Sequence, residues 1–371
     1  MHRAATALQV PASATPKKFR DVTPTHIAVI GAGLIGRKHL AILKDDPAFV
    51  VAGIADPAPA ATGYAREHGF TLFTDTERML DEVKPDGVII AGPNATHRQM
   101  AFACIARGIP AIVEKPVADT LSDALAIVDA AKKAKVPMLT GHHRRHNPIM
   151  RAARDFVQSG ALGRLAAVTG TWLHRKPDDY YNVTWRREAG GGPILINAIH
   201  DIDCLRMVVG EIETVQAAAA RDARGFPVED TAAAVLTFVN GALGTFIVSD
   251  ATPSPWNWEA TSRESAITPS EVENCFTIAG TKGGLAIPQL QHWSYDKPDG
   301  GWADPLTRRT LPVRHADPYP EQLRHFARVI RGEEAPVIDV AEGTRTLAAT
   351  LAIVESAKRG GVIRVADMLT E

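Results

Sequence analysis

Residues 26–40, HIAVIGAGLIGRKHL, contain the local pattern that decides the fold of this chain. An apolar run typical of a buried strand leads into closely spaced glycines, and a helix is predicted over residues 34–44 directly after them. Gly31 permits a tight turn, Gly33 lets a ligand approach the main chain, and Gly36 lets helix and strand pack closely. The segment therefore predicts the first strand–turn–helix unit of a parallel sheet.

The same alternation continues to about residue 145. Short apolar strands are predicted at residues 49–56, 71–75, 87–92, 110–116 and 136–141, with a helix between each pair. Continuous apolar strands that alternate with helices indicate a parallel sheet covered on both faces. Right-handed crossovers then place the ligand crevice at the carboxyl ends of the strands. We predict a doubly wound α/β domain over residues 25–145.

The pattern changes in the second half of the chain. After a helix at 149–158 and a strand at 164–173, strand-like runs follow one another at 214–220, 231–240, 242–250, 275–280 and 284–288. Consecutive strands predict a mainly antiparallel sheet, and so an α+β domain over residues 146–371. Asn240-Gly241 predicts a hairpin in which both residues have positive φ. The loop at 252–270 is long enough to be a lid or an interface element, and helices are expected near 319–331 and 342–358.

Composition and charge exclude several classes of function. The 371 residues include 41 basic and 42 acidic side chains, so no overall field attracts nucleic acid or an anionic membrane. The three cysteines are distant from one another and odd in number, which argues against a disulfide framework or a metal cluster and favours a reducing compartment. Residues 1–24 are interpreted as a flexible extension, although their composition also suits a transit peptide. No apolar run is long enough to span a bilayer, and we expect a cytoplasmic protein.

The glycine turn and a later acid together indicate a dinucleotide site. The start of the first helix offers free N–H groups to phosphates. Asp56 follows the second strand, twenty residues beyond Gly36, where a carboxylate can accept both ribose hydroxyls. That carboxylate would repel a 2′-phosphate, so NAD is favoured over NADP. The alternative is a glycine turn with a helix-capping aspartate. The predicted cofactor residues are Gly31, Gly33, Leu34, Ile35, Gly36, Asp56, Pro93, Asn94, His97, Glu114 and Lys115.

Two rims of the predicted crevice carry polar side chains. VEKP ends the fifth strand with Lys115, whose pKa would fall if the ammonium were desolvated, making it useful for proton transfer. The alternative is a surface lysine paired with Glu114. PNATH ends the fourth strand, where Asn94 or Thr96 is a candidate helix cap and His97 taken alone could be a surface histidine.

GGGPILINAIHDID, residues 190–203, is interpreted as a second wall of the site. The glycines would let the main chain approach cofactor and substrate. The helix beyond them would point one polar face into the crevice, carrying residues 197, 200, 201 and 204. The alternative is a glycine hinge followed by a core helix whose histidine is hydrogen-bonded internally.

The chain resembles the Gfo/Idh/MocA family of nicotinamide-dependent oxidoreductases in six motifs taken together. These are GAGLIG, Asp56-Pro57, PNATH, EKP, the glycine triplet and the helical histidine. The resemblance extends from about residue 25 through nearly all of the chain. It implies a Rossmann domain, a second domain with an open antiparallel sheet, and homo-oligomers (dimers or tetramers) formed through that sheet. It also implies an NAD(P)-dependent dehydrogenase that acts on the CH–OH group of a small polyhydroxylated molecule.

The resemblance assigns catalytic roles and exposes one departure. Lys115 matches the lysine at the reacting hydroxyl, and His200 matches the histidine on the substrate-domain helix. Family enzymes usually have an aspartate four residues before that histidine, whereas this chain has Ile196. Asn197 is the nearest polar neighbour and can orient His200 or the substrate, but an amide cannot act as a base. The predicted catalytic residues are Lys115, His200 and Asn197.

Two basic segments bear on the substrate. Residues 142–146 and 174–187 concentrate cationic side chains in a chain of nearly zero net charge, which favours an anionic ligand. Ion pairs with neighbouring acids or an oligomer contact would explain the same segments. We expect a sugar, cyclitol or sugar acid. The predicted substrate residues are Arg144, Arg145, His174, Trp185, Asn197 and His200.

Two other functions fit the same motifs. One is a glycoside-cleaving enzyme that uses bound NAD for transient oxidation, and the other is a non-catalytic NAD-sensing regulator. A nucleic-acid-binding module fits the sequence least well of these functions, because the chain has neither net basic charge nor a recognisable reading element.

Overall fold

The parallel sheet predicted from the glycine turn is present. We describe the chain from a computed structural model covering residues 23–265 and 267–370, so the predicted extension lies outside the described residues except at positions 23 and 24. The elements of the first half are β1 (Thr25–Ile30), α1 (Leu34–Asp45), β2 (Phe49–Ala55), α2 (Pro59–His68), β3 (Leu72–Phe73), α3 (Thr76–Val83), β4 (Gly87–Ile90), α4 (His97–Ala106), β5 (Ala111–Val113), α5 (Leu121–Ala134) and β6 (Met138–Thr140).

The first sheet has a topological switch point between β1 and β4. Its strand order is β3-β2-β1-β4-β5-β6, and every neighbouring pair is parallel. All four residues of β4 are buried, as expected for a strand covered on both faces. The order reverses between β1 and β4, so the loops after these two strands diverge and leave a crevice at their carboxyl ends.

The second half of the chain contributes a larger sheet. Its elements are α6 (Pro148–Gln158), β7 (Leu165–Leu173), α7 (Ile199–Val209), β8 (Ile212–Ala220), β9 (Thr231–Phe238), β10 (Leu243–Ser249), α8 (Trp258–Thr261), β11 (Phe276–Gly280), β12 (Gly283–Ile287), β13 (Gln291–Tyr295), β14 (Leu306–Thr310), α9 (Pro318–Ile330), α10 (Val340–Arg359), β15 (Ile363–Arg364) and α11 (Val365–Met368).

The second sheet is mainly antiparallel, which confirms the predicted fold class. The nine strands run in the order β14-β13-β12-β11-β7-β10-β9-β8-β15. Only β7 and β10 pair in parallel. The sequence did not predict β13, β14 or β15. The first two have no apolar alternation, because β13 is partly exposed, β14 is an edge strand, and neither buries a face.

The predicted hairpin between β9 and β10 is present, with one correction. Gly241 has φ of 86°, but Asn240 does not have the positive φ that we predicted for it. Its side chain instead accepts a hydrogen bond from Ala242 N at 3.1 Å and donates one to Val209 O at 2.7 Å. The asparagine therefore fixes the turn through its amide and ties it to the end of α7.

Helix α9 returns from the second half of the chain to cover the first sheet. Leu323 and Phe326 are buried in the same apolar cluster as Ile27 and Val29 of β1. A Cβ atom on Gly87 would lie 2.6 Å from Ile330 and 2.9 Å from the Phe326 ring, so this glycine allows the close approach. The predicted division at residue 145 separates the two sheets, yet one face of the parallel sheet is completed by a helix from beyond it. None of the described helices is long and apolar enough to cross a bilayer.

Helix α7 is buried on all sides, not on one face as the sequence suggested. Ile199 packs into the core of the parallel sheet, and Ile202 packs into the core of the second sheet. The charged residues Asp201, Asp203 and Arg206 are at most 5% exposed. The helix therefore lies between the two halves of the molecule and brings its first turn to the carboxyl ends of β5 and β6.

Candidate active site

The glycine turn after β1 leaves space for a ligand at only one of its three glycines. A Cβ atom on Gly31, whose φ is 95°, would lie 2.6 Å from Ala91 O, and one on Gly36 would overlap Gly31 O. Gly33 has no atom within 4 Å of the position where a Cβ would stand. No side chain caps α1, whose first turn includes Leu34 and Ile35, so its N–H groups are available to an anion.

Asp56 ties the turn to the end of β2. Its carboxylate accepts hydrogen bonds from Ala32 N at 2.6 Å and from Ala58 N at 2.7 Å. A carboxylate has about four acceptor positions, so two remain for the hydroxyls of a ribose. A bound dinucleotide would fit here, because there is open space at Gly33, no side chain caps the start of α1, and Asp56 has two acceptor positions left.

The loop after β4 behaves differently from the prediction. Pro93 is exposed and Asn94 is half-buried at the rim of the crevice. Neither Asn94 nor Thr96 caps α4, and Thr96 instead donates to Pro93 O at 2.6 Å. His97 is 1% exposed, with its ring nitrogens 3.0 Å from Pro116 O and from Gly92 O. The ring therefore holds two loops together, and a contact of His97 with the cofactor stays a prediction.

Glu114 positions its neighbours through its carboxylate, and its contact with the cofactor stays a prediction. It is 5% exposed, and its carboxylate lies 2.8 Å from His39 Nε2 and 3.3 Å from Lys115 N. A Cβ atom on Gly141 would stand 2.7 Å from the same carboxylate. Burial alone would raise the pKa of Glu114, but the hydrogen bond and charge of His39 hold it below its usual value. The carboxylate thus fixes the main chain of Lys115 by accepting the hydrogen bond from Lys115 N.

The Lys115 side chain reaches across to the second half of the molecule. Its Nζ donates to Ile196 O at 3.2 Å. Burial lowers the pKa of Lys115 to about 8. The charge of Glu114 acts to raise this pKa, and the cations Arg144 and Lys176 act to lower it further. A lysine with such a pKa is a competent proton acceptor near neutral pH.

The main chain forms a wider helical turn around Ile196, the position at which the sequence departs from the family pattern. Residues Ile194–Ala198 form a π-helical turn immediately before α7, a feature often found at functional sites. Its carbonyl at Ile196 accepts the Lys115 hydrogen bond. The position where family enzymes usually have a carboxylate therefore supplies a main-chain oxygen to the lysine.

Several buried polar atoms near Lys115 have no hydrogen-bond partner within the described parts of the chain. Buried polar atoms in proteins are normally satisfied, so a group of them indicates a site for ligand or water. The rings of His142 and His143 lie 6.2 Å and 5.2 Å from the His200 ring. Burial, with the Lys115 charge next, lowers the pKa of His200 well below its usual value. The unpartnered atoms are Asn197 Oδ1, His200 Nδ1, both ring nitrogens of His142, and Lys176 Nζ.

The two predicted substrate arginines are engaged by protein carboxylates. Arg144 donates to Asp201 at 3.0 Å and to Glu259 at 2.8 Å, and it is 3% exposed. Arg145 makes a bidentate contact with Asp203, with its shortest distance 2.7 Å. Neither guanidinium therefore offers the free fork that we predicted for an anionic substrate. The pair with Arg144 takes Asp201 away from the polar face predicted for α7.

The glycine triplet is required by protein packing. Gly190 has φ of 89°. A Cβ atom on Gly191 would overlap Trp185 O, and one on Gly192 would overlap the Glu229 carboxylate, which accepts from Ile194 N at 3.3 Å. The glycines thus permit this close approach of protein atoms, and the approach of their main chain to cofactor and substrate stays a prediction. His174 is half-buried beside Trp172, and Trp185 is 49% exposed.

Other residues near the site were not predicted from the sequence. Tyr319 of α9 stacks on His143 with ring centroids 4.3 Å apart, and Lys38 Nζ lies 3.6 Å from the centroid of the Tyr319 ring. The His143 ring is also 2.9 Å from Glu264. No local pattern identifies these contacts, because the partners are more than a hundred residues apart in the chain.

The segment that we interpreted as a lid or interface element is fixed to the core where the structure describes it. Trp258 is fully buried, and Asn257 donates to Leu173 O at 2.9 Å. Glu259 accepts from Trp172 Nε1 at 2.8 Å as well as from Arg144. This part of the segment therefore supplies a carboxylate to the site.

Comparison with known proteins identifies both halves of the chain. Residues 25–142 match the model of the oxidoreductase family with an NAD-binding Rossmann fold, and residues 150–286 match that of the GFO/IDH/MocA C-terminal domain. A 1,5-anhydro-D-fructose reductase from Ensifer adhaerens is 30% identical over 344 residues, covering 90% of this chain and 96% of that protein. A levoglucosan dehydrogenase from Pseudarthrobacter phenanthrenivorans is 28% identical, covering 80% and 82%.

A solved structure shows the same arrangement. The WlbA dehydrogenase from Bordetella pertussis, in complex with NADH and UDP-GlcNAcA, superposes with a TM-score of 0.75 at 26% sequence identity. The match covers 92% of this chain and 98% of that one.

Proposed function

This chain belongs to the GFO/IDH/MocA family of NAD-binding oxidoreductases, and we propose that it interconverts a CH–OH group and a carbonyl on a sugar, cyclitol or sugar acid at Lys115. Two relatives are named for their action on anhydro-sugars, a 1,5-anhydro-D-fructose reductase and a levoglucosan dehydrogenase. The single observation that carries the site assignment is that Lys115 Nζ binds Ile196 O, one turn from His200 and its unpartnered Nδ1.

In the oxidative direction Lys115 is the proton acceptor. NAD, when bound, would supply the acceptor for the hydride that leaves the carbinol carbon. Neutral Lys115 takes the hydroxyl proton as the carbonyl forms, and the Ile196 carbonyl holds the amine in place. General acid–base assistance of this kind contributes roughly 10²–10⁴-fold to the rate.

His200 and Asn197 orient the substrate. The low pKa of His200 keeps its imidazole neutral, so it can donate one hydrogen bond and accept another. Asn197 Oδ1 is an acceptor without a partner among the described residues. These groups suit the paired hydroxyls of a polyhydroxylated molecule. Glu114, His39 and His97 position the lysine and its loop without touching the reacting atoms.

We also assign a homo-oligomer and a cytoplasmic location. The outward side chains of β7, β9 and β10 are uncharged and exposed, among them Val235 (51%), Leu243 (58%) and Ile247 (37%). An exposed apolar face of this kind is typical of a subunit interface. The cysteines Cys104, Cys204 and Cys275 are free and buried, which is compatible with a reducing compartment.

The test is a screen for NADH formation with neutral sugars, cyclitols, uronates and aldonates, using NAD and NADP in parallel. We expect NAD-dependent oxidation of at least one member, and a loss of about 10²-fold or more in kcat for Lys115→Met with NAD binding retained. Near-full turnover of Lys115→Met would refute the assignment. Release of a leaving group without net NADH would identify a glycoside-cleaving enzyme instead, and NAD binding without turnover would indicate a sensor.

A further inference from the structure

Lys176, which follows β7, is a buried cation that the chemistry described so far does not use. The residue is 7% exposed, and its Nζ has no hydrogen-bond partner among the described residues. Its main chain is fixed, because Lys176 N donates to Asp250 O at 2.9 Å and its carbonyl accepts from Arg224 Nη2 at 2.8 Å. The position of the ammonium is therefore determined by the surrounding fold.

The nearest carboxylate, Asp250, forms a buried ion pair with this ammonium but accepts shorter hydrogen bonds from other donors. Asp250 Oδ2 lies 3.4 Å from Lys176 Nζ, without the geometry of a hydrogen bond. The same oxygen accepts from Tyr181 OH at 2.5 Å, and the other oxygen accepts from Arg224 Nε at 3.1 Å. Burial lowers the pKa of Lys176 more than Asp250 raises it. Asp250 is thus mainly engaged by other donors.

Lys176 shares the electrostatic environment of the catalytic lysine. Its charge contributes to the lowered pKa of Lys115. The other nearby acid, Glu259, has one oxygen on Arg144 and the other on Trp172. The charges of Lys115 and Lys176 repel each other. Asp250 and Glu259 accept shorter hydrogen bonds from other donors, and Glu229, which also senses the Lys176 charge, accepts from Ile194 N at 3.3 Å. A ligand that brings a negative charge would relieve this repulsion.

The aromatic surroundings of Lys176 suit a sugar. Its Nζ lies 4.8 Å from the centroid of the Tyr180 ring and 5.8 Å from that of the Trp172 ring. Trp172 is fully buried and fixes the floor beside the ammonium, whereas Tyr180 is half-buried and carries the Arg186 guanidinium 3.9 Å from its ring centroid. An aromatic ring beside charged donors is a usual composition of a small-molecule site. A charge-assisted hydrogen bond to a carboxylate is stronger than one to a hydroxyl.

We propose that Lys176 binds a carboxylate of the substrate, so that the enzyme acts on sugar acids in preference to the corresponding neutral sugars. This inference rests on the proposed function and specifies the substrate class of the same site. Lys176 is a specificity-determining residue that transfers neither hydride nor proton. Its charge affects the Lys115 step only through the Lys115 pKa, so the comparisons below are made at a pH above about 8.

The experiment compares Lys176→Met with Arg175→Met. Arg175 is the adjacent cation in the chain, and its side chain is 56% exposed, so its replacement removes the same charge outside the site. The probes are matched pairs, glucose with glucuronate and galactose with galacturonate, together with gluconate. We expect wild type to favour acids, and Lys176→Met to lower kcat/KM for the acid about 10- to 100-fold with little change for its neutral partner. Arg175→Met should leave both values near wild type.

A binding measurement separates specificity from turnover. Calorimetric titration of each acid and its neutral partner into the NADH-loaded enzyme should show tighter binding of the acid, which Lys176→Met removes and Arg175→Met retains. Equal losses for acid and neutral probe, or no preference for any acid in wild type, would overturn the inference. If the inference fails but wild type still oxidises a probe and Lys115→Met does not, the proposed function stands. If no probe reduces NAD, the result counts against the proposed function itself.

Discussion

At the scale of single residues, burial and long-range partners decide what each charged group does. Lys115 is half-buried and Lys176 is buried, yet of the two only Lys115 donates a hydrogen bond to a described acceptor, the Ile196 carbonyl. Arg144 and Arg145 have the donor geometry for an anionic ligand but are engaged by Asp201 and Asp203. The groups left free to act on a ligand are those without a protein partner.

The pKa of Lys115 sets the expected pH dependence. Burial lowers this pKa from 10.5 to about 8, and oxidation needs the neutral amine. We expect kcat/KM for oxidation to fall as pH decreases below about 8, and kcat/KM for carbonyl reduction, which needs the ammonium, to fall above it. Initial rates measured in both directions over about pH 6–10 test this. Lys115→Arg, which cannot titrate in that range, should lose the inflection, and its persistence there would exclude Lys115 as its source.

At the scale of elements, the turn before α7 supplies the hydrogen-bond acceptor for Lys115 from its main chain. The π-helical segment Ile194–Ala198 directs a main-chain carbonyl at Lys115, where family enzymes usually have a carboxylate. The glycines that precede it accommodate Trp185 O and Glu229. The segment that supplies His200 is thus fixed by close packing on its N-terminal side.

Two glycine substitutions should separate packing from ligand binding. A methyl group at Gly191 would meet main-chain atoms of Trp185 and Arg186, which cannot rotate away, whereas Gly33 has open space. We expect Gly191→Ala to lower the free energy of unfolding by about 1–3 kcal/mol, as measured by urea denaturation. Gly33→Ala should unfold like wild type and bind NAD more weakly by fluorescence titration. The reverse pattern would show that the two glycines have been assigned the wrong roles.

At the scale of the whole molecule, the site is built from both halves of the chain and closed by its C-terminal helices. Helix α7 lies between the two cores, and α9 covers the parallel sheet while its Tyr319 stacks on His143. The outer face of the second sheet, formed by β7, β9 and β10, is not covered by any described element and consists of Ala, Thr, Val, Leu and Ile side chains.

A charge on that face should weaken the oligomer. Val235 lies opposite Thr245 in the β9–β10 pairing, in the middle of the uncharged surface. We expect Val235→Lys to shift the protein to a smaller species in size-exclusion chromatography with light scattering, because an unpaired charge is costly in an apolar interface. Val362→Lys, at a position 60% exposed outside this face, is the control. An unchanged mass for Val235→Lys, or a wild-type monomer, would contradict an interface there.

The sequence by itself determined the parallel sheet, the nucleotide turn, the consecutive strands of the second half and the position of Lys115 at a strand end. These features are local, since an apolar period, a glycine spacing or a strand end involves residues close together in the chain. The tertiary structure alone decided that His97 and Glu114 hold the loops around Lys115, that Arg144 and Arg145 are paired and that Ile196 contributes its carbonyl. It also decided that Lys176 has an ion pair with Asp250 but no hydrogen-bond partner among the described residues. The state of a buried polar group depends on which distant elements pack around it, and no periodicity within one element encodes that choice.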